Sequence, residues 1–466
     1  SGAVHVNNNN NGGSRPNTIL HPGDVVSMKV TIKKKQDDDD IYMIWEGAEE
    51  VCQKEGLFVD KSNSNTGRRR MGGCSTSMER CRGGVYNPEE TTETMNSTVI
   101  MDSAYMRYYK SCFPQFHWDI EALYTALPLT VRIHTSSSSS SRADKVRSML
   151  EATEFELVNP FVEVGLPKKK SSSSEELDLL CQQLATAANT TTTMAMIHRR
   201  PITTAHSSSA LVSQLKRQGL LSQQELVSML PPMILLLEIQ KLAEKIRNNH
   251  HHGPSNTQQQ KQQPNQQQQP LIRVLDMCAA PGSKTMQLLD GLATILLPSS
   301  LLSFVLVAND IQQERAEQIL LRAQTSTLCP HVTQHLLVTH QNATTLSCGQ
   351  FEFISCDVPC SGDGTIKKSP TKLLKWRNSQ QQPAAMTTKK NQPLQKQILS
   401  QGLQLLAPGG TLVYSTCSLN PIENEDVVCS VLAAQETNNK NHHRNNNEYK
   451  LVAIQQNDNN NNNNDY

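Results

Sequence analysis

The chain has 466 residues, 44 of them Lys or Arg and 43 Asp or Glu, for a formal charge of +1. That balance excludes recognition of nucleic acid through global basicity, so any such partner must be met by local charge. Hydrophobic residues make up 37% and aromatic residues 4%, because near-homopolymer tracts dilute a chain long enough for two or three domains. The tracts lie at 7–11, 37–40, 136–141, 190–193, 258–269 and 459–464. They carry no apolar surface to offset the entropy of ordering and read as disordered insertions. Twelve cysteines show no disulfide framework, and no signal peptide is evident, which fits a reducing intracellular compartment. Cys74 and Cys81 are too far apart for a typical zinc pair, and no metal is expected. No apolar run approaches the roughly 20 residues of a membrane helix, so no membrane partner is expected.

Residues 1–100 read as mostly disordered, with one apolar stretch at 41–45. Residues 101–237 read as a small α+β subdomain. A helix is predicted at 106–110, helical spacing at 116–127, a strand at 127–133, and a helix then a strand within 142–163. Ser222-Gln-Gln-Glu225 has the pattern of a capping box, opening a helix that runs through Met229 and stops at Pro231-Pro232. Residues 238–270 read as a low-complexity insertion. From 271 to 455, strands and helices alternate, with strands predicted at 271–277, 304–309, 335–339, 351–356 and 410–414. Helices are predicted at 312–324 and 394–406. A short strand at 450–454 and a disordered tail from 456 to 466 complete the chain. This rhythm predicts an α/β fold with a doubly wound, mostly parallel sheet. Right-handed crossovers then place the strand C-termini on one edge, where chemistry collects.

Four motifs fall on that edge. Asp276-Met-Cys-Ala-Ala-Pro-Gly-Ser-Lys-Thr285 follows one strand and opens a helix. Its small residues Ala279, Ala280, Gly282 and Ser283 let a ligand approach the backbone, and the helix start offers N–H groups to a carboxylate. It lacks the spacing of a P-loop. Asp310 ends the next strand, where an acid commonly bonds ribose hydroxyls, or caps the helix that follows. Asp357-Val-Pro-Cys-Ser-Gly-Asp-Gly364 and Ser415-Thr-Cys-Ser-Leu-Asn-Pro421 bring Cys360 and Cys417 to the ends of two further strands. A thiolate is a strong nucleophile, and two thiols in polar loops point to covalent chemistry. Cys278, Cys356 and Cys429 read instead as small buried hydrophobes. A basic strip follows Cys360: Lys367, Lys368, Lys372, Lys375 and Arg377, without an acid among them, suited to a phosphate backbone. The shorter clusters at 33–35, 68–70 and 168–170 read as solvated patches.

Together these motifs resemble the Nop2/Sun family of RNA cytosine-5 methyltransferases, most closely its eukaryotic tRNA branch. The resemblance covers roughly 101–134, 211–237 and 271–435. It implies a Rossmann-like class I methyltransferase fold, S-adenosylmethionine as cofactor, and RNA, in particular tRNA, as partner. It implies the nucleus or nucleolus, with the cytoplasm as the alternative, and the chain is expected to be a monomer. By resemblance Cys417 is the nucleophile that adds to C6 of cytosine, and Cys360 assists proton loss and release. Asp357 bonds the N3 side of the base, and Lys284 sits near cofactor and base. Cys278, Ala279, Ala280, Pro281, Gly282, Ser283 and Lys284 line the methionine end of the cofactor, with Asp357 beside them and Asp310 at the ribose. Asn342 stands where the family usually has an Asp toward adenine, which implies weaker or altered cofactor binding. The family sheet also has one more strand than the chain supplies, and that branch a further C-terminal domain. Two other readings are a catalytically impaired RNA-binding relic of the family and a methyltransferase of rRNA or DNA cytosine.

Overall fold

A computed structural model describes residues 30–34, 41–45, 104–114, 127–135, 140–160, 193–198, 207–251, 269–299, 301–326, 330–368, 383–441 and 449. The strands are β1 (Val30–Lys34), β2 (Ile41–Trp45), β3 (Leu129–Ile133), β4 (Phe155–Val158), β5 (Met194–His198), β6 (Leu221–Gln223), β7 (Leu271–Asp276), β8 (Ser303–Asp310), β9 (Leu336–His340), β10 (Phe351–Asp357) and β11 (Leu406–Ser415). The helices are α1 (Ala104–Cys112), α2 (Ser140–Glu151), α3 (Ser207–Arg217), α4 (Leu226–His251), α5 (Ser283–Leu296), α6 (Gln313–Thr325), α7 (Pro330–Thr333), α8 (Pro383–Leu405) and α9 (Glu425–Asn441).

The larger sheet has the order β1-β2-β9-β8-β7-β10-β11. Its five strands from β7 onward are parallel, and β1 and β2 add to the β9 edge as an antiparallel hairpin. This is the doubly wound α/β fold expected. The order reverses beside β7: β8 and β9 lie on one side, β10 and β11 on the other. A crevice at such a switch point is where open α/β sheets take ligands. Strands this deep are apolar through most of their length, as β8 shows from Phe304 to Ala308, because both faces are covered. One core packs β7 and β8 against α4, α5 and α6 through Leu236, Ile239, Leu289, Phe304 and Ile319. The other packs Leu275, Val307, Phe351 and Ile354 against Ile398 of α8.

The second sheet has the order β4-β5-β3-β6, all antiparallel. The helix-then-strand expected within 142–163 is α2 and β4. The short strands β5 and β6 escaped the sequence reading. Arg132 of β3 reaches Asp290 of α5 at 2.9 Å, with both side chains 1% exposed. Gln224 joins this contact, accepting from Arg132 at 3.3 Å and donating to Gln287 at 2.7 Å.

Two expectations fail around 222–251. Ser222 lies in β6 and meets the His134 ring at 2.8 Å, so no capping box forms. Helix α4 passes through Pro231 and Pro232 and reaches His251, so 238–251 is helix rather than insertion. Proline removes a helical N–H donor. Here Gln224 Nε2 donates to the Ser228 carbonyl at 3.4 Å and Gln287 Nε2 to the Met229 carbonyl at 3.0 Å. Burial of Met233, Leu235, Leu236 and Ile239 does the rest. Residues Leu226–Asn249 also meet the length and hydropathy of a membrane-crossing helix, contrary to expectation, with half of the critical stretch buried inside the protein.

Tract residues Ser140 and Ser141 begin α2, and Thr193 is buried against Gln287. Most of 1–100, including Cys74 and Cys81, lies outside the described residues. So do most of the homopolymer tracts, the cluster at 168–170, the helical spacing at 116–126, the side chains of the basic strip and the predicted strand at 450–454.

Candidate active site

The loop after β7 turns back on itself before α5. Ala279 N donates to the Asn309 carbonyl at 2.8 Å, and Gly282 N to the Ala279 carbonyl at 2.8 Å. Gly282 precedes α5 with φ of 97°, a left-handed value glycine adopts without strain. No side chain caps that helix start. Asp276, 1% exposed, accepts from Thr285 Oγ1 at 2.8 Å on one oxygen. Its other oxygen is buried without a hydrogen-bond partner. Burial is the main force raising its carboxyl to about 7. Burial, reinforced by the carboxylates of Asp276, Asp310 and Asp357, also pushes the Cys278 thiol well up, which keeps it a neutral lining group.

Lys284 lies in the first turn of α5 and reaches across to β10. Its Nζ stands 2.9 Å from Asp357 Oδ2, with both side chains half-buried. The other oxygen of Asp357 accepts from Ser415 Oγ at 2.8 Å. The start of α5 and the ends of β10 and β11 thus converge on one carboxylate, with its two partners supplied by two other stretches of sequence.

Cys360 and Cys417 meet beside it. Their sulfurs are 3.0 Å apart, and Cys417 N donates to the Cys360 sulfur at 3.3 Å. Neither forms a disulfide; Cys417 is exposed and Cys360 partly so. Contact with the Cys417 sulfur, then burial, holds the Cys360 thiol well above its usual range. Either sulfur can donate in that contact. The loops touch again at Gly364, whose N–H donates to the Cys417 carbonyl at 3.1 Å. A Cβ on Gly364 would stand 2.8 Å from that oxygen, closer than a side chain tolerates.

Sequence reasoning missed the residues that hold these loops. Glu423, fully buried, accepts from Ser361 N at 3.1 Å, Ser361 Oγ at 2.6 Å, Asn391 at 3.0 Å and Gln395 at 3.2 Å. Gln395 also donates to the Pro359 carbonyl at 2.9 Å. Asp363, 3% exposed, accepts from Leu419 N at 2.8 Å and from the Tyr109 hydroxyl. Asp363 stands inside one quoted motif and Glu423 two residues past the other, but only their burial among donors shows what they do.

Two assignments change. Asp310 does not cap α6: Gln312 holds the N-cap position. The Asp310 carboxylate is 3% exposed and accepts from Gln312 N at 3.0 Å and Ala280 N at 3.3 Å, with Arg315 at 3.6 Å. It ties the end of β8 to the loop after β7. Cys429 is exposed on α9 rather than buried, whereas Cys356 is buried as expected. Asn342 is exposed, and its carbonyl oxygen closes a turn on Thr344 N and Oγ1, each at 3.0 Å.

A parallel sheet with a small-residue loop at its switch point and paired thiols at the neighbouring strand ends is a doubly wound, Rossmann-like α/β architecture with a two-cysteine edge. Residues 262–463 match the family model described as 16S rRNA methyltransferase RsmB/F. The chain is 39% identical over 171 residues to a tRNA (cytosine(34)-C(5))-methyltransferase of Drosophila melanogaster, covering 35% of this chain and 22% of that protein. It is 40% identical over 176 residues to the multisite-specific tRNA:(cytosine-C(5))-methyltransferase of Saccharomyces cerevisiae, covering 35% and 24%. A methyltransferase homologue from Pyrococcus horikoshii of known structure aligns at 24% identity and a TM-score of 0.40, over 67% of this chain and 72% of that one. Over residues 262–463 the chain is thus similar to RNA cytosine-5 methyltransferases, among them eukaryotic tRNA enzymes. It spans about a quarter of the length of these curated relatives.

Proposed function

We propose that the protein is an S-adenosylmethionine-dependent RNA cytosine-5 methyltransferase that acts on tRNA through a covalent adduct. The observation that carries this reading is the approach of the Cys360 and Cys417 sulfurs to 3.0 Å, beside the Lys284–Asp357 pair at 2.9 Å. The curated relatives' tRNA substrates support the choice of RNA.

The residues around the loop after β7 fit the cofactor. The unpartnered Asp276 oxygen can accept from an ammonium group, and the uncapped start of α5 suits a carboxylate. Residues 278–284 would hold the methionine end, with Asp310 and Asn342 on the nucleoside side. When bound, the cofactor supplies an electrophilic methyl group.

Cys417, as thiolate, adds to C6 of the base, which makes C5 electron-rich. Asp357 faces the N3 side, and Lys284 keeps that carboxylate in place. Once C5 carries its methyl group, loss of the C5 proton lets the Cys417–C6 bond break and expels the thiolate. Cys360, deprotonated at that point, accepts the C5 proton as the Cys417 thiolate leaves. A cytosine within folded RNA must leave its stack to reach Cys417.

Incubation with labelled S-adenosylmethionine and total tRNA tests the reading. The parent should transfer label and Cys417→Ala should not, while Cys360→Ala should accumulate a protein–RNA adduct that survives denaturant. An active Cys417→Ala would remove the nucleophile assignment, and a parent that methylates no RNA would overturn the function.

A further inference from the structure

Helix α1 lies about 250 residues upstream of the cysteine loops in sequence, yet three of its tyrosines end on them. The Tyr109 hydroxyl donates to Asp363 Oδ2, at |i−j| of 254. The Tyr105 hydroxyl donates to the Asp363 carbonyl oxygen at 3.2 Å. The Tyr108 hydroxyl donates to Asn420 Oδ1 at 3.0 Å. Tyr105 and Tyr109 are fully buried, with ring centroids 4.7 Å apart.

Asp363 sits three residues after Cys360 and belongs to its loop. Its Oδ1 accepts from Leu419 N at 2.8 Å, in the loop of Cys417. One buried carboxylate therefore links both thiol loops to α1. A phenol and a backbone N–H meet its two oxygens. A buried carboxylate held by such directional donors fixes its neighbours more tightly than a solvated ion pair does.

We propose that Asp363 and Tyr109 are positioning residues that set the separation of the Cys360 and Cys417 sulfurs. Helix α1 is thereby part of the active-site scaffold. This rests on the methyltransferase reading for its catalytic consequence, but the geometric claim concerns the thiols alone.

Tyr109→Phe keeps the buried ring and removes only the hydroxyl, and Asp363→Asn keeps the shape and removes the charge. The first measurement is the rate at which diamide joins Cys360 to Cys417. In that reaction the two thiols become a disulfide, and the diazene takes up both hydrogens to become a hydrazine. Mass spectrometry of the linked peptide reads it without any methyl transfer. The rate should fall on the order of tenfold in both variants, as expected for a misplacement of reacting groups by a fraction of an ångström or more. In methyl transfer to tRNA, kcat should fall by a similar factor with the KM for S-adenosylmethionine unchanged. Tyr108→Phe, which touches the Asn420 side chain rather than Asp363, should have a smaller effect on both. Parental cross-linking rates in Tyr109→Phe and Asp363→Asn would overturn the proposal. So would a uniform loss of folding stability accompanied by a raised KM and an unchanged kcat. A parent that cross-links but methylates no RNA would overturn the functional reading and leave the positioning result standing on its own.

Discussion

The contact between the small sheet and helix α5 and the edge that carries the cysteines are both built on buried carboxylates, but they use them differently. Asp290 faces a full cation, Arg132, with both sealed from water. Its oxygens also take Thr135 N at 3.1 Å. Glu423 and Asp363 instead face hydroxyls, amides and backbone N–H groups. The first arrangement closes a surface. The second immobilises two backbones while leaving Cys417 exposed. Structural charge is buried with its counterion, whereas the reactive groups are held by their loops and left accessible.

Three measurements can break or sharpen that contrast. The largest effect is expected from Asp290→Ala, which strands Arg132 as an unpaired buried cation. It should lose about 3–5 kcal/mol in urea unfolding, with the Cys360–Cys417 cross-linking rate in the remaining folded protein unchanged. Coupled loss of both would mean that the two regions are not separate. Next, Glu423→Gln should cost about 2–3 kcal/mol, because a carboxylate accepting several hydrogen bonds is replaced by an amide with one acceptor oxygen. Unlike the first variant, it should also disturb the thiols; a normal cross-linking rate would place the control of the loops elsewhere.

The smallest effect is a pH dependence at the sealed contact. His134 bonds Gly219 O and Ser222 Oγ, each at 2.8 Å. Burial first, then the nearby Arg132 charge, lowers its pKa from 6.5 to about 4, against the opposing pull of Asp290. A depressed folded-state value means that the unfolded chain takes the proton more readily. This contribution is fully present above pH 6.5 and is lost as pH falls toward 4. Between pH 7 and 5 the loss should be about 2 kcal/mol, and His134→Gln should flatten that part of the stability profile. An unchanged slope in His134→Gln would assign the acid sensitivity to another group.

Much of the catalytic edge was legible because each motif is contiguous and follows a buried apolar strand. The alternation from 271 onward predicted the sheet, and the ends of β7, β10 and β11 then had to share one side. The supporting residues were harder to see. Glu423 gathers donors from the Cys360 loop and from α8, and Asp363 from the Cys417 loop and α1. Neither set has a spacing that a linear reading would notice. Helix α4 misled for a related reason. Two prolines argue locally for a stop, and the packing that makes them tolerable, Leu236 and Ile239 in one core with β7, β8 and α5, comes from elsewhere in the chain.

The sequence by itself determined the strands, their common edge and the side chains delivered there, because hydrophobic runs and turn residues act over a few positions. Only the tertiary structure decided that Cys360 and Cys417 touch, that Lys284 meets Asp357, that Asp310 ties the end of β8 to the loop after β7, and that tyrosines from α1 hold the thiol loops. Those outcomes depend on hydrogen bonds and burial between segments as much as 250 residues apart, which no local pattern encodes.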